Sequence, residues 1–441
     1  MSFRLFLTAT LAACVATLPA VAQTPVENDP APTLALKAAR LFDSETGALK
    51  TNGIVVVRGE RIVAAGSGVP IPADARVIDL GDSTLIAGFI DAHTHVTLEF
   101  NPNYYRGQYE DLMRFASEKT LYAERWARRT LDAGFTTVRN VGAQDHVDVG
   151  LRNAINDNVV IGPRILTAVY SIGSTGGHCD QSPFPPEKVA PIGPIQGVCN
   201  GPEQCREAVR QQMKYGADVI KICASGGVLS EADPVDVPQL TPAELDAIIG
   251  EAHRWKRKVA AHAHGDLAAR LAIDAGVDSI EHGSFLTEPT LKLMKQKNVY
   301  LVPTRAAVFW VNKSADTYPP KIAEKARAAY AAHESMFRTA LKLGVPMALG
   351  TDSGVYPHGM NAMEFGLMTD IGMSPSAALL AGTRDGARLL GLETEIGTLA
   401  AGKYADIVAV PGDVLANIHA TEHPVFVMSK GRVIVQKIGT H

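Results

Sequence analysis

The run Thr84-Leu-Ile-Ala-Gly-Phe-Ile-Asp-Ala-His-Thr-His-Val96 decides how the rest of the chain is read. It is apolar from Leu85 to Ile90, as a buried strand is, and it ends in two histidines one residue apart. Side chains alternate faces along a strand, so His93 and His95 point the same way. Two imidazoles converging at the end of a buried strand can bind a metal. The remaining ligands are then sought at the ends of other strands.

Working outward, residues 84–390 alternate short apolar runs with helical stretches. The spacing predicts strands over 85–95, 136–141, 164–169, 219–224, 259–264, 279–282, 300–303 and 346–351. Helices are predicted over 117–133, 202–215, 242–255 and 322–343. Eight such units predict a parallel (β/α)8 TIM barrel, an α/β architecture. Residues 34–83 and 391–441 carry short β runs separated by turn residues. They predict one small β-sandwich domain assembled from both chain ends. Two long insertions, 170–200 and 226–240, follow the third and fourth barrel strands, where loops build sites.

Metal-capable or titratable groups end several of these strands. They are His93 and His95 on the first, Lys221 on the fourth, His262 and His264 on the fifth, His282 on the sixth and Asp352 on the eighth. Singly, each has an ordinary structural explanation: a hydrogen-bonded core histidine, a helix-capping aspartate or a snorkelling lysine. Five placements in register at one end of the strands call for a shared cause. Lys221 is the sharpest clue, because a lysine cation beside metal cations is electrostatically unfavourable.

The order His-x-His, Lys, His, His, Asp over strands one, four, five, six and eight resembles the amidohydrolase superfamily. So do Ile86-Ala-Gly-Phe-Ile-Asp-Ala-His-Thr-His95 and Gly397-Thr-Leu-Ala-Ala-Gly-Lys-Tyr-Ala-Asp-Ile-Val408. Within it the chain resembles the imidazolonepropionase-like carboxypeptidases and dipeptidases, and most of all the ochratoxin-hydrolysing amidohydrolases of bacteria. The resemblance implies two Zn2+ ions. His93, His95 and Asp352 would hold the more buried ion and His262 and His282 the more exposed one. Lys221, carboxylated to N6-carboxylysine, would bridge the pair together with a hydroxide. Asp352 would move the proton from nucleophile to leaving amine. Imidazolonepropionase itself departs from this pattern, lacking the bridging lysine and using one metal.

The resemblance further implies a small-molecule amide or peptide substrate and a homo-oligomer. The substrate would be a dipeptide, an N-acyl amino acid or a toxin amide of phenylalanine. His178, in Ser174-Thr-Gly-Gly-His-Cys179, would donate to the carbonyl oxygen or to a substrate carboxylate. His264, Tyr170 and Arg305 are further candidates for substrate contact. Phe309 with Trp310, or Val228 with Leu229, would line an apolar pocket. Rival readings are a cyclic amide or lactone hydrolase on the same scaffold and a noncatalytic exported binding protein.

The bulk properties agree with a globular chain. It has 441 residues, 46% hydrophobic and 20% charged, enough for a barrel and a smaller module. The formal net charge of −4, with no long basic run, gives no footprint for nucleic acid. Residues 1–22 read as a signal peptide: Arg4, an apolar stretch to Val21, and Ala20-Val21-Ala22 before the cut. The stretch is short for a membrane span. Leu11-Ala-Ala-Cys14 also resembles a lipoprotein box. A disordered lead is expected over 23–33. Export permits disulfides, and one bridge is expected among Cys179, Cys199 and Cys205, with Cys223 a buried thiol.

Overall fold

The computed structural model describes residues 32–99, 101, 103–180 and 185–438. The expected signal peptide, its cut after Ala22 and Cys14 lie outside them. Strand β1 (Thr33–Asp43) begins one residue inside the expected lead. It is followed by β2 (Ala48–Arg58), β3 (Arg61–Ser67), β4 (Arg76–Asp79) and β5 (Ser83–Ala87). These join β13 (Ile407–Pro411), β14 (Phe426–Ser429) and β15 (Arg432–Gln436) near the C-terminus. The two ends share one mixed sheet of eight strands, in the order β15-β14-β13-β5-β1-β2-β3, with β4 also on β1. By hydrogen bonding this is one continuous sheet, where the sequence suggested a two-sheet sandwich. Leu36, Val55, Ile78, Leu85, Ile407 and Phe426 pack into its buried cluster.

The remaining strands are parallel. One sheet holds β6 (Phe89–Thr94), β7 (Phe135–Asn140) and β8 (Arg164–Thr167). Another holds β9 (Ile220–Cys223), β10 (Val259–Ala263), β11 (Ser279–His282) and β12 (Tyr300–Val302). Backbone bonds join the two sheets at both seams. At one, Asp218 N donates to Thr167 O at 2.8 Å and Ile172 pairs with Ile222. At the other, residues 346–353 run between β12 and β6. There Leu301 N donates to Pro346 O, Ala92 N to Leu349 O and Asp352 N to His93 O. The expected eighth strand is thus a chain of single bridges rather than a regular strand.

The expected first strand is two strands, β5 in the mixed sheet and β6 in the parallel one. The chain crosses between them at Gly88, where a Cβ would overlap the Thr136 side chain. Helices α1 (Tyr104–Met113), α2 (Ala116–Asp132) and α3 (Val147–Asn156) lie between the first strands. They are followed by α4 (Pro202–Lys214), α5 (Pro242–Arg254), α6 (Asp266–Asp274), α7 (Glu288–Lys297), α8 (Arg305–Lys313) and α9 (Pro320–Leu343). A Thr241–Glu244 capping box starts α5, with Pro242 at its first position. No helix among the described residues is long and apolar enough to cross a membrane.

Two disulfides form, Cys179–Cys223 and Cys199–Cys205. Cys223 is therefore not the free thiol expected of an apolar strand. Its Cα lies 5.8 Å from that of Cys179, which the loop after β8 brings across 44 residues of chain.

Candidate metal centre and cavity

Buried strand ends deliver the polar groups to one place. His93, Lys221, His262, His264 and His282 are each at most 5% exposed. His93 Nε2 and His95 Nε2 each lie 3.4 Å from Asp352 Oδ1. Lys221 Nζ lies 3.5 Å from His93 Nε2. The His282 ring centroid is 4.9 Å from that of His93 and 4.7 Å from that of His262. Donor atoms of His93, His282 and Asp352 lie within 4.8 Å of one another, and so do those of His262, His264 and His282. His264, expected to touch substrate or to orient a ligand rather than to hold metal, also sits at ligand spacing. Both Asp352 (φ 58°) and His282 (φ 69°) adopt the left-handed region. That conformation costs a non-glycine residue about 1–2 kcal/mol.

The other ring nitrogens are occupied. Carbonyls accept from or face His95 Nδ1 (Gly142 O, 3.2 Å) and His262 Nε2 (Gly226 O, 3.0 Å). Hydroxyls hold His264 Nδ1 (Ser284, 2.9 Å) and His282 Nδ1 (Thr304, 2.7 Å). His93 Nδ1 meets the Glu281 carboxylate at 2.7 Å, and Arg139 Nη2 donates to the same carboxylate at 2.8 Å. Such partners orient imidazoles and fix their tautomers. Burial raises the Glu281 carboxyl, but Arg139, His93 and Lys221 outweigh it and hold it down at about 2. Asp352 is likewise held at about 2 against burial, by His93, His95 and Lys221. Burial brings the Lys221 amine down to about 8, with Glu281 and Asp352 opposing. It brings His95 down to about 4 and His264 to about 3.

Glu281, Arg139 and Asp91 were not singled out from sequence. Asp91 Oδ1 accepts from the His93 and Thr351 backbone N–H groups at 3.1 and 3.0 Å, and Oδ2 from Asn361 at 2.9 Å. It ties the strand that carries His93 to the segment that carries Asp352, and burial pushes its carboxyl up to about 6. The available signal was opposite charge inside two buried strands, Arg139 and Glu281.

His93, His95, Lys221, His262, His264, His282 and Asp352 face a cavity of about 560 Å³. His178 and Tyr170 line it, as do Val228 and Leu229. Tyr170 Oη accepts from Asp145 N at 2.9 Å. Arg305 does not line it. Its guanidinium lies 4.8 Å from the Tyr330 ring and 3.9 Å from Glu334. Nor do Phe309 and Trp310, because α8 presents Ala307, Val308 and Val311 to the cavity instead.

The fit of a metal is tested by Asp352 Oδ1. It is buried without a hydrogen-bond partner while two imidazole nitrogens approach it. A buried unpaired carboxylate oxygen is costly, and a cation among these donors removes that cost. Imidazole and carboxylate donors suit zinc among other divalent metals.

Comparison with known proteins agrees with the geometry. Residues 84–435 match the model of the amidohydrolase family. The chain is 30% identical over 393 residues to an ochratoxinase of Aspergillus niger, covering 85% of this chain and 80% of that one. It is 24% identical over 368 residues to an imidazolonepropionase of Cutibacterium acnes, covering 81% and 84%. A Xaa-Pro dipeptidase crystallised with methionine in its active site superposes with a TM-score of 0.86 at 35% identity, covering 91% of this chain and 99% of that one. The chain belongs to the amidohydrolase family and is a hydrolase of amide bonds.

Proposed function

We propose that the chain is a metal-dependent hydrolase that releases a C-terminal amino acid from dipeptides, N-acyl amino acids or ochratoxin-like amides. The observation that carries this is the orphaned Asp352 Oδ1 between His93 and His95, beside a buried lysine. The relatives support the substrate class: one is named for ochratoxin, another for Xaa-Pro dipeptides. We read the parallel strands with residues 346–353 as the staves of a (β/α)8 barrel within residues 84–390, of which 84–87 belong to the mixed sheet. Residues 34–83 and 391–441 are then a second domain. Two disulfides support export to an oxidising compartment.

His93, His95 and Asp352 would hold one Zn2+, and His262 with His282 the second. Lys221 would bridge them as its carbamate. A neutral amine is the form that takes up carbon dioxide, losing one proton as the N–C bond forms. Burial brings Lys221 toward that form. When bound, a metal pair acidifies water and polarises the scissile carbonyl.

The chain's own residues do the rest. Asp352, kept ionised, accepts the nucleophile's proton and returns it to the leaving amine, one carboxylate serving both steps in turn. Glu281 and Arg139 hold His93 in orientation. The wall of Val228, Leu229, Ala307, Val308 and Val311 keeps water away and receives an apolar substrate group. The test is a panel of N-acyl-phenylalanines and dipeptides assayed with zinc and bicarbonate, then after chelation. Turnover lost on chelation and restored by metal is expected. Absence of cleavage across the panel by metal-loaded protein refutes the substrate class.

A further inference from the structure

His178 comes from a loop rather than a strand end, so its position has to be built by contacts. Its backbone N donates to Gln239 Oε1 at 2.9 Å. The adjacent Cys179 is bridged to Cys223 at the end of β9. The ring stacks on His262 with centroids 4.4 Å apart. Gly227 approaches so closely that a Cβ there would overlap the ring. Finally, Nδ1 lies 3.0 Å from Ser230 Oγ. Gln239, Gly227 and Ser230 all belong to the 226–240 loop.

That loop is organised around Asp233. Its Oδ2 accepts from Gly227 N at 3.1 Å and from Gln239 Nε2 at 2.7 Å, and its Oδ1 accepts from Ser230 Oγ. Lys325 on α9 clamps the same turn, donating to Gly227 O at 2.6 Å, to Asp233 O at 3.0 Å and to Ser230 O.

The serine has one hydrogen to give. Its two other partners are the Asp233 carboxylate and Gly227 O at 3.3 Å, and both only accept. Whichever takes the hydrogen, Ser230 Oγ meets His178 as an acceptor, so Nδ1 must carry a hydrogen. We propose that Ser230 and Asp233 are positioning residues that fix His178 as the Nδ1–H tautomer, leaving Nε2 as its atom for substrate. This rests on His178 being a substrate contact in the proposed reaction. A neutral ring of this tautomer accepts at Nε2. Its natural partner is a substrate N–H or the leaving amine, in place of the carbonyl oxygen or substrate carboxylate expected from sequence.

The test combines kinetics with a readout independent of turnover. Protein labelled with [15N]histidine gives ring-nitrogen signals, and the set missing from His178→Ala belongs to His178. Those signals should show hydrogen on Nδ1 in the native protein and a mixture of tautomers in Ser230→Ala. In the metal-loaded enzyme, Ser230→Ala should lower kcat about tenfold, as for loss of one hydrogen bond, with KM little changed. Ser230→Thr, which keeps the hydroxyl, should restore most of it. Ser230→Ala should add nothing to His178→Ala, since the serine acts through the ring. Native His178 with hydrogen on Nε2 alone, or additive losses in the double variant, overturns the proposal. If the native enzyme cleaves no amide, the proposed function fails while the tautomer measurement still decides this inference.

Discussion

Glu281→Gln isolates the buried charge that supports His93. The carboxylate is fully buried between Arg139, Ser279 and His93. Gln keeps the shape but turns an N–H2 donor toward groups that themselves donate, and leaves Arg139, 1% exposed, without a counter-charge. A carboxyl held at about 2 instead of 4.5 corresponds to about 3 kcal/mol, at about 1.4 kcal/mol per pH unit. Removing one partner of a buried pair costs a similar ~3–5 kcal/mol. For roughly 400 residues unfolding with about 2 cal/mol/K each, 3 kcal/mol lowers Tm by about 4 °C. The sign with pH follows from the lowered value. The stabilisation is complete above 4.5 and is lost as pH falls from 4.5 through about 2. The assay is calorimetry of chelated wild-type and variant protein at pH 7 and at lower pH. The Tm gap should be largest at pH 7 and shrink below pH 4.5. A variant that melts with the wild type at pH 7, or a gap that ignores pH, refutes the reasoning.

Two further outcomes are expected. Asp352→Asn should retain bound metal, measured by elemental analysis, yet lose about 10²-fold or more in kcat as the proton carrier is removed; near-native turnover would take Asp352 out of that role. Replacing Cys179 and Cys223 together by serine opens a loop of 44 residues and should lower unfolding free energy by about 2–4 kcal/mol. An unchanged melting profile would show that the hydrogen bonds of the 226–240 loop suffice to hold it.

Strand ends were legible where a buried apolar run stops at a polar ligand type, which is why Ser279–His282 is found with its sequence-derived limits. The division of the first strand at Gly88 was not legible. Residues 85–90 are apolar on both faces, so alternation cannot show that the chain leaves one sheet for another. The irregular 346–353 segment hid for a similar reason: apolar content marks burial, not the positive φ of Asp352. Cysteine pairing depends on loops folding back, and the sequence separation of 44 between Cys179 and Cys223 carries no local trace of it. On α8 the aromatic residues drew attention, yet helical spacing places Ala307, Val308 and Val311 on the cavity side. Arg305 begins that helix, but its guanidinium lies over the Tyr330 ring and 3.9 Å from Glu334 rather than in the cavity. Arg139 and Glu281 meet only in three dimensions.

The placement of β5 between β1 and β13 ties a segment far along the chain to the first histidine. Ile407, Val408 and Ala409 pair with Ala87, Ile86 and Leu85, and one glycine later the chain enters the strand that bears His93. A chain lacking β13 would leave that edge of β5 open and its amides unsatisfied. Metal binding is therefore expected to depend on β13 being paired, and truncations that remove it should be judged by ion content as well as by solubility.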